Sequence, residues 1–254
     1  EEKKIGLTVV GPEQPLVAGI SNFLESKGHP VFGPSTIAAQ LEGSKQFAKD
    51  FMARHNIPTA AYKVFSGDYF NEALDYVDAR NEYPVVLKAD GLAGGKGVLI
   101  PENREELLAG LEELREGTLQ TAAQTLVLEE FMPGEEASVF ALCDGEHFEI
   151  MGTAQDHKRQ LDGDKGPNTG GMGAYSPSPL LSEEVLQTVS ENIITPTITG
   201  MAAERNPYKG FLYVGLMIKD NNPYLVEYNV RMGDPECQTI LPLLKSDLLE
   251  LILS

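Results

Sequence analysis

The stretch that most restricts the fold is the apolar run Pro84-Val85-Val86-Leu87-Lys88, the loop Gly91-Leu92-Ala93-Gly94-Gly95-Lys96-Gly97, and then Val98 to Ile100. A strand runs into a glycine-rich loop and the chain returns as a second strand, so no helix opens at the end of the loop. That excludes a dinucleotide-binding strand–loop–helix unit at this point. A P-loop is excluded as well. Three residues separate Gly91 from Gly95-Lys96 where that pattern needs four, and Gly97 stands where Ser or Thr is required. What remains is a loop whose closely spaced N–H groups can wrap phosphate oxygens, with Lys96 adding a point charge. A flexible hairpin tip fits the same residues. Lys88, ending an apolar strand, needs an anionic partner if it is buried.

Around this stretch the chain alternates strands and helices, which predicts an α/β fold. Ile5 to Val10 reads as a strand, Leu16 to Lys27 as a helix and Val31-Phe32 as a strand, together a parallel unit. One such unit cannot cover a sheet, so residues 1–42 are expected to be the C-terminal part of a larger, Rossmann-like N-terminal domain begun upstream of Glu1. Ser35 to His55 is expected to be helical, with an interruption at Gly43 and a stop before Pro58. Leu107, Leu108, Leu111 and Leu114 mark an amphipathic helix over 104–116. Thr125 to Glu130 and Glu136 to Cys143 are expected to be strands around the turn Pro133-Gly134. From Met151 the chain turns polar and irregular as far as Gly173, a long loop of the kind that is usually functional. A helix over Glu183 to Arg205, a hairpin of Phe211 to Ile218 with Tyr224 to Val230, and an apolar helical tail over Gln238 to Ser254 complete the reading. The tail stops without a cap, as a chain truncated at both ends would.

Composition limits the partners. Twenty Lys and Arg against 38 Asp and Glu give a formal charge of −18, which repels a phosphate backbone and argues against nucleic-acid binding. There is no apolar run long enough to span a membrane and no signal-like start, so no membrane partner and a cytoplasmic location are expected. Cys143 and Cys237 are the only cysteines; they read as reduced thiols, and no zinc spacing is present. Any anionic substrate must therefore meet a local cluster of cations and N–H groups.

Four places offer such chemistry. On a strand, Glu227 and Asn229 point to one side while Val226 and Tyr228 point to the other, which sets two hard oxygen ligands side by side for Mg²⁺. A solvated edge strand is the alternative. Arg231-Met232-Gly233-Asp234-Pro235-Glu236 follows at once and adds a cation and two carboxylates beside an apolar run. Glu129-Glu130-Phe131-Met132 with Glu135-Glu136 can read a nucleoside, or be an acidic surface turn. Asp156-His157-Lys158-Arg159 with Gly166 to Gly173 is the strongest basic cluster, suited to an anion. His157 fits a positioning role better than a general base. No nucleophilic triad can be supported.

In combination these segments resemble the phosphoribosylamine–glycine ligase (glycinamide ribonucleotide synthetase) family of the ATP-grasp superfamily. The resemblance covers the whole chain: Val10-Gly11-Pro12-Glu13, Gly33-Pro34, Ser44-Lys45, Leu87 to Gly97, Gln155 to Arg159, Gly166 to Gly173, Glu227 to Glu236 and Leu241 to Asp247. It implies an ATP-grasp fold in three parts: residues 1–42 of an N-terminal domain, a larger subdomain of 43–59 with 129–254, and a small lid subdomain of 60–128. It implies ligation of glycine to 5-phosphoribosylamine with ATP through glycyl phosphate, in purine biosynthesis. ATP would be held by Lys45, Lys88, Gly94, Gly95, Lys96 and Gly97, with adenine and ribose near Glu129, Glu130, Phe131 and Glu136. Mg²⁺ or Mn²⁺ would sit on Glu227 and Asn229. Asp156, His157, Lys158, Arg159, Asn168, Thr169, Gly170, Gly171, Arg231, Asp234 and Glu236 would serve the substrates, with Lys88, Lys158 and Arg231 catalytic. The strand Phe211 to Ile218 carries no acid, so phosphates, water or another carboxylate must complete the metal sphere. Another carboxylate–amine ligase of the same fold and a non-catalytic nucleotide-binding module remain alternatives, and the oligomeric state is left open.

Overall fold

The structure, a computed structural model, describes residues 4–92, 97–116, 124–157, 159–161, 165–169 and 171–253. The chain opens with strand β1 (Thr8–Val9), helices α1 (Glu13–Val17) and α2 (Ile20–Ser26), and strand β2 (Val31–Phe32). β2 lies parallel to β1, as the strand–helix–strand pattern predicts. The helix expected over Leu16 to Lys27 is two helices instead. Gly19 between them takes φ +90°, and a Cβ there would stand 2.7 Å from Thr36 Oγ1. Only glycine reaches that backbone shape without cost. Gly19→Ala is expected to lower stability by about 1–2 kcal/mol, read as the midpoint shift in chemical unfolding.

Helices α3 (Gln40–Gly43) and α4 (Lys45–Arg54) follow, separated at Ser44. The Ser44 hydroxyl caps α4 by accepting from the Phe47 N–H at 3.0 Å, so the break after Gly43 places Lys45 at the first position of a new helix. Strand β3 (Tyr62–Ser66), helix α5 (Phe70–Arg80), strands β4 (Val85–Ala89) and β5 (Val98–Leu99), helix α6 (Arg104–Glu116) and strand β6 (Thr125–Glu130) come next. Their strands form a four-stranded sheet in the order β3-β6-β4-β5. Leu87, Leu107, Leu111, Leu114, Leu126 and Val77 close a core between that sheet and the two helices. The predicted leucine stripe of α6 supplies its side of that core.

Strands β7 (Glu135–Asp144), β8 (Phe148–Asp156), β9 (Arg159–Leu161), β10 (Lys165–Asn168) and β11 (Ala174–Tyr175) are followed by helices α7 (Glu183–Val189) and α8 (Thr195–Ala203), joined by a π-helical turn over Ser190–Ile194. Strands β12 (Lys209–Lys219) and β13 (Asn222–Asn229) form the expected hairpin, and helices α9 (Glu236–Ile240) and α10 (Leu248–Leu253) follow. The larger sheet has the order β11-β8-β7-β12-β13. Val139, Ala141, Leu212, Val214, Ile193 and Tyr228 belong to the main core, on one face of it.

Two further expectations need correction. The stretch from Met151 is not a loop at its start: it continues β8 to Asp156, paired to β7, with Thr153 and Ala154 buried. Its polar residues hid the strand because they break the apolar pattern even where they are buried: Thr153 Oγ1 accepts from the Ser178 N–H at 3.0 Å. The strands expected on either side of Pro133-Gly134 are present, and they serve different sheets: β6 ends in the small sheet and β7 begins the large one. The tail is not one helix, since Leu241–Leu243 forms a 3₁₀ turn after α9 and the chain then breaks before α10. Among the described residues no helix is long and apolar enough to cross a membrane.

Candidate functional site

A cleft of about 700 Å³ lies where the two sheets meet, and its walls include Lys45, Lys49, Lys88, Glu129, Glu227 and Asn229. Lys88 therefore has the partner its sequence position calls for. Its ammonium lies 2.9 Å from Glu129 Oε1, with Lys88 6% and Glu129 2% exposed. Lys49 Nζ stands 2.9 Å from Glu129 Oε2 and donates to Thr59 Oγ1 at 2.7 Å. Two buried cations thus share one buried carboxylate, and Coulomb attraction offsets much of their desolvation. Glu129 Oε1 still receives no well-directed hydrogen bond, which leaves it able to accept one from a ligand.

Lys49 is a cleft residue that the sequence reading missed, as are Glu13 and Glu42. It stands four positions after Lys45 on α4, so both face the same side of the helix. That spacing is visible in the sequence, but solvated lysines on helices show it as often. Burial pushes the Lys49 ammonium down to about 8, against the pull of Glu129. Between about 8 and the ordinary value of 10.5 the unfolded chain holds a proton that the folded chain does not. Stability from this residue therefore rises with pH across that window. In paired unfolding curves at low and high pH within that window, wild type is expected to gain on Lys49→Met as pH rises; parallel curves would contradict the assignment.

Lys45 also lines the cleft and donates to the Gly91 carbonyl at 2.9 Å. Burial lowers its ammonium pKa, while the charge of Glu227 works in the opposite direction. Asp90 ties the loop to α4: its carboxylate accepts from Ser44 Oγ at 3.1 Å and from the Gln46 N–H at 3.1 Å. The start of the glycine loop is thus held against the helix that carries Lys45 and Lys49. Gly97 closes the far side of the loop and lines the cleft. Gly94, Gly95 and Lys96 lie outside the described residues.

Strand β13 brings Glu227 and Asn229 to the same cleft. The strand is not evenly alternating. Gly215 pairs with Glu227 and Leu216 with Leu225, so Val226 is an extra residue in the ladder. Leu225 and Tyr228 are the buried pair, in place of the expected Val226 and Tyr228. The Val226 carbonyl instead accepts from Lys88 Nζ at 3.4 Å, which ties the two sheets together. Glycine at 215 leaves room for Glu227, whose Cγ would be 3.2 Å from a Cβ there.

The remaining expected residues divide. Thr169, Arg231 and Asp234 line the cleft. Gly171, at φ +112°, packs so closely on Pro235 that a Cβ would come within 2.7 Å, which joins the loop of Thr169 to the segment after β13. Glu236 is buried beside Gly233 and is not in the cleft wall. Glu130, Phe131 and Glu136 are exposed and do not line the cleft, unlike Glu129. Asp156 ends β8, and His157 exchanges backbone hydrogen bonds with Met172 and Gly173 while its ring lies 5.7 Å from that of Tyr175. Arg159 and Asn168 lie in β9 and β10, and Lys158 and Gly170 fall outside the described residues.

The donor set fits a divalent cation with a polyphosphate. Glu227 and Asn229 offer a carboxylate and an amide oxygen, while Lys45 and Lys88 bring positive charge to the same cleft. Among the described residues no group of three His, Cys, Asp or Glu side chains gathers as a metal cage. Such a pair suits a cation that takes its other oxygens from a substrate.

Two family models together match residues 1–237: the N domain of phosphoribosylglycinamide synthetase over 1–42 and its ATP-grasp (A) domain over 43–237. The chain belongs to the phosphoribosylglycinamide synthetase family. It is 54% identical over 252 residues to the phosphoribosylamine–glycine ligase of Mesorhizobium japonicum, covering 99% of this chain and 59% of that protein. It thus spans about three fifths of the length of the curated relatives it matches. The crystal structure of phosphoribosylamine–glycine ligase from Thermotoga maritima superposes with a TM-score of 0.78 at 41% identity, over 89% of this chain and 56% of that one. D-alanine–D-alanine ligase from Bacillus anthracis, 19% identical, aligns over 99% of this chain and 80% of its own with a TM-score of 0.71, a likeness of fold. The ATP-grasp fold of this family is one that generally works on ATP with a metal ion.

Proposed function

We propose that the chain, within its full-length protein, joins glycine to 5-phosphoribosylamine at the expense of ATP, giving glycinamide ribonucleotide, ADP and phosphate, a step of purine biosynthesis in the cytoplasm. The observation that carries this reading is the gathering of Lys45, Lys88, Glu227 and Asn229 in one cleft of a chain of this family. The glycine carboxylate would attack the γ-phosphorus of ATP, breaking the bond to ADP and forming glycyl phosphate. The amine of 5-phosphoribosylamine would then attack the acyl carbon, releasing phosphate and a proton. Both steps gather negative charge on phosphoryl oxygens, so fixed cations help more than a proton acceptor does. Lys45, Lys88 and the Gly91–Gly97 loop would hold the phosphates. Glu227 and Asn229 would hold Mg²⁺ or Mn²⁺, which when bound neutralises phosphate charge. Glu129 would orient Lys88 and meet the nucleoside, with Glu130, Phe131 and Glu136 beside it.

Lys158, Arg159, Asn168, Thr169, Gly170 and Gly171, with Asp156, His157, Arg231, Asp234 and Glu236, would form the glycine and phosphoribosylamine side. The family models meet at 42/43, which supports residues 1–42 as the N-terminal part. The two separate sheets support a small lid subdomain of 60–128 against a larger subdomain of 43–59 and 129–254. The test uses the full-length protein with ATP and Mg²⁺, supplying glycine and the amine together or singly. Product and phosphate in equal amounts, only with both present, are expected. Turnover with other acid–amine pairs alone would point to a different ligase, and nucleotide binding with no turnover would end the catalytic reading.

A further inference from the structure

Glu42 and Glu13, which line the same cleft as the lysines, make an ion cluster with Arg231, two residues past the metal-facing strand. Glu42 lies on α3 with its side chain 9% exposed, and one of its oxygens pairs with Arg231 Nη2 at 3.0 Å. The other accepts from the Val230 N–H at 2.7 Å. Val230 lies one residue past the end of β13, the edge strand of its sheet, beyond the last ladder pair Tyr213–Asn229. Glu42 thus supplies an acceptor where the ladder has ended. Arg231 also donates from Nε to Glu13 Oε2 at 2.9 Å, from Nη1 to the Met232 carbonyl at 3.1 Å and from Nη2 to Asn229 Oδ1 at 3.3 Å.

Two consequences follow from these contacts. A guanidinium only donates, so the Asn229 amide turns its oxygen toward Arg231 and its NH₂ away, which settles which end of the amide is the oxygen. One guanidinium charge also faces two carboxylates, so the cluster does not repel a divalent cation gathered by Glu227 and Asn229. An Arg231 without its carboxylates would place an uncompensated positive charge 3.3 Å from a metal-facing oxygen.

We infer that Glu42, seconded by Glu13, is a positioning residue: it anchors Arg231 and the end of β13 so that Asn229 presents its amide oxygen, beside Glu227, to a divalent cation. This role rests on the ligase reading for its purpose and on the hydrogen bonds alone for its geometry. It makes α1 and α3, through Glu13 and Glu42, part of the working site.

The experiment uses the full-length protein at pH 8, above the value of about 7 to which burial raises the Glu42 carboxyl. It reads the Mg²⁺ concentration that half-saturates binding of a fluorescent, non-hydrolysable ATP analogue. Glu42→Gln keeps an acceptor for Val230 but removes the charge facing Arg231. It is expected to raise that concentration by about 10-fold or more, the usual scale for losing a group that orients a metal ligand, with melting close to wild type. Glu42→Asp, which keeps the charge, is expected to recover part of the affinity. A lowered melting temperature with unchanged Mg²⁺ dependence would mean a purely structural contact and overturn the inference. If Glu42→Gln fails to fold, Glu13→Gln, whose ion pair among the described residues is with Arg231, must show the Mg²⁺ shift, and its absence is equally decisive. Product formation by wild type is read separately: its failure ends the ligase reading, while the Mg²⁺ shift judges the positioning role.

Discussion

Glu227→Gln in the full-length protein is expected to lose turnover by a hundredfold or more while melting near wild type, a loss of several kcal/mol in transition-state stabilisation. The residue is exposed within the cleft wall, so the substitution preserves its size and buries nothing new. The change falls instead on the charge that would meet a divalent cation. Tyr228, the next residue, is the control. It is 2% exposed, and its hydroxyl shares a hydrogen bond of 2.5 Å with Thr197, itself fully buried. Tyr228→Ala empties a ring-sized volume and leaves Thr197 without that partner, so a stability loss of about 3 kcal/mol or more is expected. Steady-state rates and melting curves on the two variants separate the roles. Wild-type turnover in Glu227→Gln would remove the metal-ligand assignment.

Glu129→Ala is expected to be the most damaging single change to the folded state, by about 3–5 kcal/mol at neutral pH. It would strand the ammonium groups of Lys49 and Lys88, which are 2% and 6% exposed and both pair with this carboxylate. Lys49 would keep Thr59 Oγ1, and Lys88 the Val226 carbonyl at 3.4 Å, but neither acceptor carries a compensating charge. Part of the loss should return as pH rises, because a stranded lysine can shed its proton. Lys49→Met in the Glu129→Ala background should restore part of the stability by removing one unpaired cation. Urea unfolding of the single and double variants measures both effects, and a neutral result for Glu129→Ala would show that the three charges are solvated rather than coupled.

By itself the sequence determined the elements with a strong period and the residues with unusual chemistry. The leucines of 104–116 and the apolar positions of 183–205 place their helices because helical spacing gathers them on one face. The β12–β13 hairpin is equally legible, since two apolar runs flank Asp220-Asn221-Asn222. Glu227 and Asn229 announce themselves by local spacing, and Lys88 by a charge at the end of an apolar strand. Strand β8 was hidden beyond Met151 because Gly152, Thr153, Gln155 and Asp156 give it no apolar alternation, although Thr153 and Ala154 are both buried.

Only the tertiary structure decided which charges meet. Lys49 looks like any helix lysine until β6 brings Glu129 to within 2.9 Å of it. The partners of Arg231 are as remote: Glu13 lies 218 residues away in the chain, and Glu42 is 188 residues from Val230. Glu130 and Glu136 resemble Glu129 in sequence, yet only Glu129 lies in the cleft wall. Local pattern reports the period of an element and the chemistry of a side chain. Partners across the fold are set by how sheets and helices pack, and an ion pair between distant residues leaves no trace in either segment read alone.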